Sequence, residues 1–138
     1  MMRLEGAAGF AALVLLGIGA EAPAQAPAPT ALAPLETGLW EFKEVGRTSQ
    51  PTRLCVTDVR QLLQPLQPTP VCRQFTAENT GDYAAVSYDC AARGQGRTSL
   101  RVETAHLVQI DSQGISGGRP FAVRYEARRI GACTAALR

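Results

Sequence analysis

Apolar and polar residues alternate along most of the chain beyond residue 37, and this period of two is typical of strands with one buried face. Trp40 and Phe42 alternate with charged neighbours and predict a first strand over residues 38–47. The clearest alternating run lies near the C-terminus and has four apolar positions: Phe121, Val123, Tyr125 and Ala127. We therefore expect Trp40, Phe42 and Tyr125 to have structural roles on the inward faces of their strands.

One short segment has a helical period instead. Its four apolar residues are spaced i, i+3, i+4 and i+7: Val59, Leu62, Leu63 and Leu66. Thr57 or Asp58 is suited to cap this helix, and Pro65 and Pro68 limit it to about two turns. The later residues favour strands and turns, with one hairpin turn at residues 94–96. The whole pattern predicts a mainly β fold, an antiparallel meander curled as a half-barrel or sandwich with one short helix near the N-terminus and two disulfides.

Four cysteines allow three disulfide pairings, and a predicted hairpin limits the choice. Residues 71–78 and 83–90 are strand-like, and the residues between them favour a turn. A hairpin there brings Cys72 and Cys90 nearly opposite each other, within disulfide reach. By elimination, the second disulfide joins Cys55 and Cys133.

The side-chain parity of this hairpin requires a local irregularity. Phe75 and Ala77 alternate with one parity, whereas Cys72 has the other. In the second strand, three residues share one face: Val86, Tyr88 and Cys90. We therefore infer a β-bulge near residues 73–74.

The first 24 residues have the pattern of a secretory signal peptide. Arg3 supplies a positive charge, and residues 7–20 form an uncharged apolar run that is shorter than the ~20 residues needed to cross a bilayer as a helix. Small residues at positions 22–24 suit cleavage before Gln25, and a retained membrane anchor is the alternative. No cysteine precedes Cys55, which excludes lipoprotein attachment.

Beyond the leader, residues 25–35 are rich in proline and alanine and are expected to form a tether that does not pack. Residues 36–138 then form a single disulfide-bonded β domain. Four cysteines in an exported chain favour two disulfides, and the expected location is the periplasm. A metal site is disfavoured because the sequence has no C-x-x-C and His106 is its one histidine. We expect no cofactor.

Several short motifs occur in order along this domain. They are the G-x-W-E of Gly38, Trp40 and Glu41, Cys55 with Thr57 before the predicted helix, the hairpin cysteines Cys72 and Cys90, and a final strand that runs into Gly131 and Cys133. The arrangement resembles a family of small exported bacterial proteins catalogued only as a domain of unknown function. The resemblance implies a periplasmic, disulfide-bonded β domain and no catalytic residues. We assign structural roles to Gly38 and Gly131.

The sequence offers few groups for catalysis. A Ser-His-Asp arrangement would require His106, which lies on the apolar side of its strand if that strand runs unbroken. No G-x-S-x-G surrounds a serine, and no glycine-rich phosphate loop precedes a helix. A pair of carboxylates for glycoside cleavage would need two of ten acidic residues on one cleft: Glu36, Glu41, Glu44, Asp58, Glu78, Asp82, Asp89, Glu103, Asp111 and Glu126. We expect most of these on solvated strand faces or in turns.

Positive charge is concentrated toward the C-terminus, where residues 93–138 contain eight arginines and three acidic residues. Arg97 and Arg101 share one strand face, and Arg124 and Arg128 share another. If these faces adjoin, they form a mildly basic surface suited to anionic lipid headgroups, acidic glycans or a protein partner. Nucleic-acid binding is disfavoured because the sequence has no aromatic–basic platform.

These observations favour a non-enzymatic module of the cell envelope that binds a ligand or a protein partner. A pocket lined by a set of inward residues would favour an apolar ligand such as a lipid: Trp40, Phe42, Phe121, Val123 and Tyr125. A sealed core at the same residues would favour a protein partner. The alternative is a hydrolase that uses His106 or a carboxylate pair, with His106 within about 3 Å of a serine and a carboxylate.

Overall fold

The computed structural model describes residues 26–134, together with Gly17 and Gly19. Apart from those two glycines, the predicted signal peptide lies outside the described residues. The described part contains seven strands: β1 (Gly38–Glu44), β2 (Thr52–Val56), β3 (Arg73–Thr80), β4 (Tyr83–Asp89), β5 (Gly94–Thr104), β6 (Leu107–Ser116) and β7 (Arg119–Gly131). They form one antiparallel sheet in the order β2-β1-β7-β6-β5-β4-β3, which leaves β2 and β3 as its edges. The predicted mainly β fold is confirmed, as an open curled sheet.

Strand alternation divides this sheet into an inner and an outer face, and the pairing register aligns the inner residues in rows. The first two rows are apolar and consist of Phe42, Ala127, Val108 and Val102, then Tyr125, Ile110, Leu100 and Ala84. The next two rows turn polar and consist of Val123, Ser112, Thr98 and Val86, then Phe121, Gly114, Gly96, Tyr88 and Gln74. The inner face therefore has an apolar end and a polar end.

Two short 3-10 helices, Thr30–Leu32 and Val59–Leu63, cover the inner face of the sheet. Ala31, Leu32 and Leu35 are buried in the main apolar cluster, so the expectation that residues 25–35 do not pack is wrong for the second half of this segment. The physical reason is its leucines, whose burial against the sheet outweighs the extended preference of the prolines. Asn79 of β3 holds the segment by accepting hydrogen bonds from Thr30 and Ala31.

The predicted helix is present as Val59–Leu63, but it is a 3-10 helix and ends before Leu66. Asp58 is its N-cap, and the Asp58 carboxylate accepts a hydrogen bond from the main-chain N–H of Arg60 at 3.0 Å. Gln61 completes a capping box by accepting from the main-chain N–H of Asp58. The helix stops early because Pro65 disfavours a helical conformation at the preceding residue, and Gln64 has a φ of −137° and a ψ of 62°.

Both predicted disulfides are confirmed. Cys55 and Cys133 are bonded with their Cα atoms 5.5 Å apart, and Cys72 and Cys90 are bonded with theirs 5.1 Å apart. Two disulfides are typical of proteins that fold in an oxidising compartment outside the cytoplasm.

The position of the predicted bulge is wrong. The register shift lies between Thr76 and Glu78, where Ala77 has no partner on β4, rather than near residues 73–74. A bulge there would put Phe75 on the same face as Cys72, but the Phe75 side chain is on the outer face and 52% exposed. Cys72 therefore needs no bulge in order to face Cys90.

Two predicted turns also differ from the structure. The first strand ends at Glu44 rather than at 47, because a turn follows in which Gly46 has a φ of +80°. Residues 94–96 lie within β5 rather than in a hairpin turn, and the β4–β5 connection is a third 3-10 helix, Ala91–Arg93. Gly96 is required by packing, because a Cβ there would come within 2.5 Å of the Tyr88 hydroxyl oxygen.

Candidate functional site

The apolar end of the interior is sealed. Trp40 is 0% exposed, and its indole Nε1 donates a hydrogen bond to the carbonyl oxygen of Glu36 at 3.0 Å. Phe42 is buried edge-on against Tyr125, with ring centroids 5.8 Å apart. Leu62 and Leu63 fill the space beside them. Of the five residues considered for a ligand pocket, Trp40 and Phe42 are therefore closed off by the protein's own side chains.

The other three residues of that set, Phe121, Val123 and Tyr125, are half-buried. They lie along the first half of β7, beyond the point where β1 ends against Tyr125. Burial raises the pKa of the Tyr125 phenol, and the nearby Glu44 carboxylate adds to this. These residues thus lie at the margin of the packed interior, where Tyr125 lines a surface pocket of about 240 Å³ together with Val45 and Arg124.

The two glycines predicted to be structural differ in their surroundings. Gly38 has a φ of +144°, and a Cβ there would lie 2.6 Å from the carbonyl oxygen of Gly131 and from Nε of Arg129. No other residue type fits this backbone conformation and this close approach. A Cβ at Gly131 would meet open space, so the packing does not explain why this position is a glycine.

His106 is in the turn between β5 and β6 and its side chain is 50% exposed, so the expectation of a position on the apolar side of a strand is wrong. The strand breaks because Ala105 and His106 form the two-residue turn. His106 Nε2 is 2.6 Å from a carboxylate oxygen of Glu36, and this hydrogen bond is the main reason why the pKa of Glu36 is below its ordinary value. Arg129 lies 3.9 Å from the same carboxylate.

This cluster has the carboxylate that a hydrolase would need, but the described residues place no serine in hydrogen-bond contact with the His106 ring. Buried Ser112 is instead paired with Thr98, with 2.7 Å between the two hydroxyl oxygens. Ser116 accepts from the side chain of Gln67.

Most of the candidate carboxylates are paired with arginines. Asp58 binds Arg60, and this hydrogen bond lowers the pKa of the Asp58 carboxyl. On the outer face and in the first turn, five further pairs lie between 3.0 and 3.8 Å: Glu41–Arg53, Glu44–Arg47, Glu78–Arg97, Asp111–Arg124 and Glu126–Arg128. Within the part of the chain that the structure describes, no group of three or more His, Cys, Asp or Glu side chains is placed to hold a metal ion.

The predicted basic faces lie on the same side of the sheet. Arg97 and Arg101 are on β5, Arg124 and Arg128 are on β7, and β6 separates the two strands. Three of these arginines are next to carboxylates, and Arg101 lies over the ring of Tyr83. The outer face is therefore a mosaic of both charges.

The edge strand β3 and a groove beside it expose apolar side chains. Phe75 and Ile115 are 52% and 38% exposed and line an open groove of about 340 Å³. Gly96 and Gly114 also line it. Sequence reasoning missed this feature because the bulge inferred near residues 73–74 would bring Phe75 onto the face of Cys72. Without that bulge, the inward position of Cys72 indicates that Phe75 faces the other way.

Comparison with protein-family models, with curated proteins and with solved structures found no match for this chain. None of the helices in residues 26–134 has the length and apolar character that a bilayer crossing requires.

Proposed function

We propose that this protein is an exported, non-enzymatic accessory module of the cell envelope that binds a protein partner on its outer surfaces. Export to the periplasm is proposed from the apolar leader with its small residues before Gln25 and from the four disulfide-bonded cysteines. The resemblance to small exported bacterial β domains supports the same location.

The observation that carries the proposal is the filled interior. An apolar ligand carrier needs a cavity on the inner face of its sheet, and here Leu32, Leu62 and Leu63 occupy that place and are fully buried with Trp40. Binding by this protein then uses edges and the outer face, which are surfaces suited to another protein.

The outer face supports a protein partner better than a lipid surface. Anionic headgroups attract clusters of basic side chains, whereas Arg97, Arg124 and Arg128 each have a carboxylate within 3.8 Å. Contact with anionic lipid or acidic glycan through the arginines is accordingly the weaker form of the proposal.

Native mass spectrometry of the protein purified from periplasm tests this function. We expect each chain to have the mass of the sequence from Gln25 with two disulfides and to carry no small molecule. A lipid or other apolar compound that co-purifies in constant ratio would overturn the proposal in favour of a ligand carrier. Residues 1–24 still attached would overturn the export mechanism.

A hydrolase that uses His106 is the second candidate, and the 2.6 Å contact between His106 and Glu36 is the observation that favours it. Assay of the purified protein on ester and glycoside substrates, with His106→Gln as the matched variant, tests it. Turnover that His106→Gln abolishes would replace the proposal above, and we expect no such turnover.

A further inference from the structure

The edge strand β3 is open to pairing with another strand. It is eight residues long, compared with five in the opposite edge strand β2. Among the described residues, no hydrogen bond reaches the main chain of β3 from outside its ladder with β4. The side chains from Phe75 to Thr80 are all exposed. A long edge strand whose main chain has no hydrogen-bond partner on one side is a template for a further strand.

The bulge at Ala77 gives this edge an unusual symmetry. Arg73, Phe75 and Glu78 are opposite Asp89, Ser87 and Ala85 of β4. Because Ala77 is skipped, these three residues occupy alternate ladder positions on the outer face. Phe75 is two ladder positions from Arg73, whose guanidinium carbon lies 5.2 Å from the Phe75 ring centre, and two from Glu78. Without the bulge, Glu78 would point to the inner face.

We propose that β3 pairs antiparallel with β3 of a second copy of this chain, about a two-fold axis at Phe75. In this register Phe75 is opposite Phe75 of the second copy. Arg73 is opposite Glu78 of the second copy, and the symmetry repeats this ion pair on the other side of the axis. Aromatic pairs and opposite charges are both favourable as directly opposed cross-strand neighbours.

The surroundings of β3 fit this partner. The two phenylalanine rings, each half-exposed in the isolated chain, cover one another and the groove beside Ile115. Glu78 already lies 3.8 Å from Arg97, so the incoming arginine completes a chain of alternating charge. A peptide from another protein would have to reproduce this charge order, whereas a second copy has it by symmetry.

A charge exchange in the full exported chain tests the pairing by sedimentation velocity over a concentration series. We expect a concentration-dependent dimer of the unaltered protein. Arg73→Glu and Glu78→Arg each place like charges opposite one another and should raise the dimer dissociation constant at least about tenfold. The double variant Arg73→Glu/Glu78→Arg exchanges both charges and should restore it to within about threefold of the original value.

The opposite edge provides the control. Arg53 on β2 is exposed and lies 3.1 Å from Glu41, and Arg53→Glu should leave the dissociation constant unchanged. A protein that stays monomeric at all concentrations, a double variant as weak as the single ones, or equal weakening by Arg53→Glu would each overturn the proposed pairing. The pairing goes beyond the proposed function and does not depend on it, because native mass spectrometry records a dimer mass and a bound small molecule separately.

Discussion

The apolar end and the polar end of the inner face contain different kinds of side chain. At one end, Trp40, Phe42 and Leu62 pack with other apolar side chains into a cluster whose one notable polar contact is the indole hydrogen bond. At the other end, the interior contains two buried glutamines, Gln64 and Gln67, and the hydroxyl pair of Thr98 and Ser112. Its small apolar cluster consists of the Cys72–Cys90 disulfide, Tyr88 and the half-buried Phe121.

The difference concerns what each end needs in order to fold. The apolar end gains stability from non-directional burial, so its loss on mutation scales with the volume removed. The polar end gains little from each hydrogen bond but loses much when one partner is left alone, because a buried polar group without a partner keeps its full desolvation cost. Mutations should therefore have graded effects at the first end and paired effects at the second.

The largest expected effect is at the apolar end. Trp40→Ala should lower the free energy of unfolding by about 3–5 kcal/mol, through lost apolar contact and the cavity that remains. Urea denaturation followed by circular dichroism measures this loss, since the intrinsic tryptophan signal is removed with the residue. In a domain of this size the loss should also appear as a much lower Tm and a poor periplasmic yield.

Val45→Ala is the matched control for Trp40→Ala, because Val45 is 50% exposed in the turn after β1. It should change the free energy of unfolding by no more than about 0.5 kcal/mol. An unchanged Tm for Trp40→Ala would contradict the sealed core and would reopen the case for a ligand bound at β1.

The next largest effect is at the polar end, where Cys72–Cys90 closes the β3–β4 hairpin with a sequence separation of 18 residues. Replacing both cysteines by alanine should lower the free energy of unfolding by about 3 kcal/mol, because the unfolded chain regains conformational entropy. Urea unfolding of the double variant, with Cys55–Cys133 intact, measures it. A cost under about 1 kcal/mol would show that hydrogen bonds alone hold this end.

The apolar end was largely predictable from the sequence, and the polar end was not. Trp40 and Phe42 follow a period of two and Leu62 and Leu63 a helical period, so hydropathy alone assigns them to the core. The same rule assigns Gln64 to the surface. The rule fails there because the hydrogen bonds that satisfy the amide of Gln64 come from residues of the following loop and of β3, and the sequence does not reveal the positions of those residues. Leu32 was misplaced for a related reason, since local proline content says nothing about the open sheet that the leucine covers.

One wrong assignment of side-chain parity kept the exposed edge strand β3 from being predicted. A bulge at residues 73–74 would have put Phe75 on the inner face with Cys72, whereas the bulge is at Ala77 and Phe75 is exposed on the outer face. The disulfide indicates the correct face of Phe75. Cys72 faces inward in order to reach Cys90, and Phe75 is three residues later in the strand, so it lies on the opposite face. His106 was misplaced because alternation cannot indicate where a strand ends in a two-residue turn without glycine.

The third prediction concerns the glutamine that organises the polar end. Gln64 Oε1 accepts from the main-chain N–H of Cys72 and from Gln74 Nε2, both at 3.0 Å, and its Nε2 donates to the carbonyl oxygens of Gln67 and Pro70. Gln64→Leu keeps the side-chain volume but removes the amide that makes these hydrogen bonds, so it should lower the free energy of unfolding by about 1–3 kcal/mol. Urea denaturation measures the loss.

The control for that variant is Gln109→Leu, a glutamine of the outer face that contacts Glu103 and Glu126 at 3.3–3.4 Å. It should change the free energy of unfolding by less than about 0.5 kcal/mol. If Gln64→Leu were as mild as this control, the polar end would tolerate apolar side chains and its distinction from the other end would fail.

The smallest net effect is expected where both polar partners are removed together. Thr98 and Ser112 are fully buried opposite each other on β5 and β6, with 2.7 Å between their hydroxyl oxygens. Thr98→Val keeps the side-chain shape but leaves the Ser112 hydroxyl without this partner, which should cost about 1–3 kcal/mol. Thr98→Val/Ser112→Ala removes both groups and should cost less than about 1 kcal/mol, because no buried hydroxyl of the pair then remains to be satisfied. A double-mutant cycle in urea measures the coupling, and a double variant whose cost equals the sum of the two single costs would mean that the hydroxyls act independently.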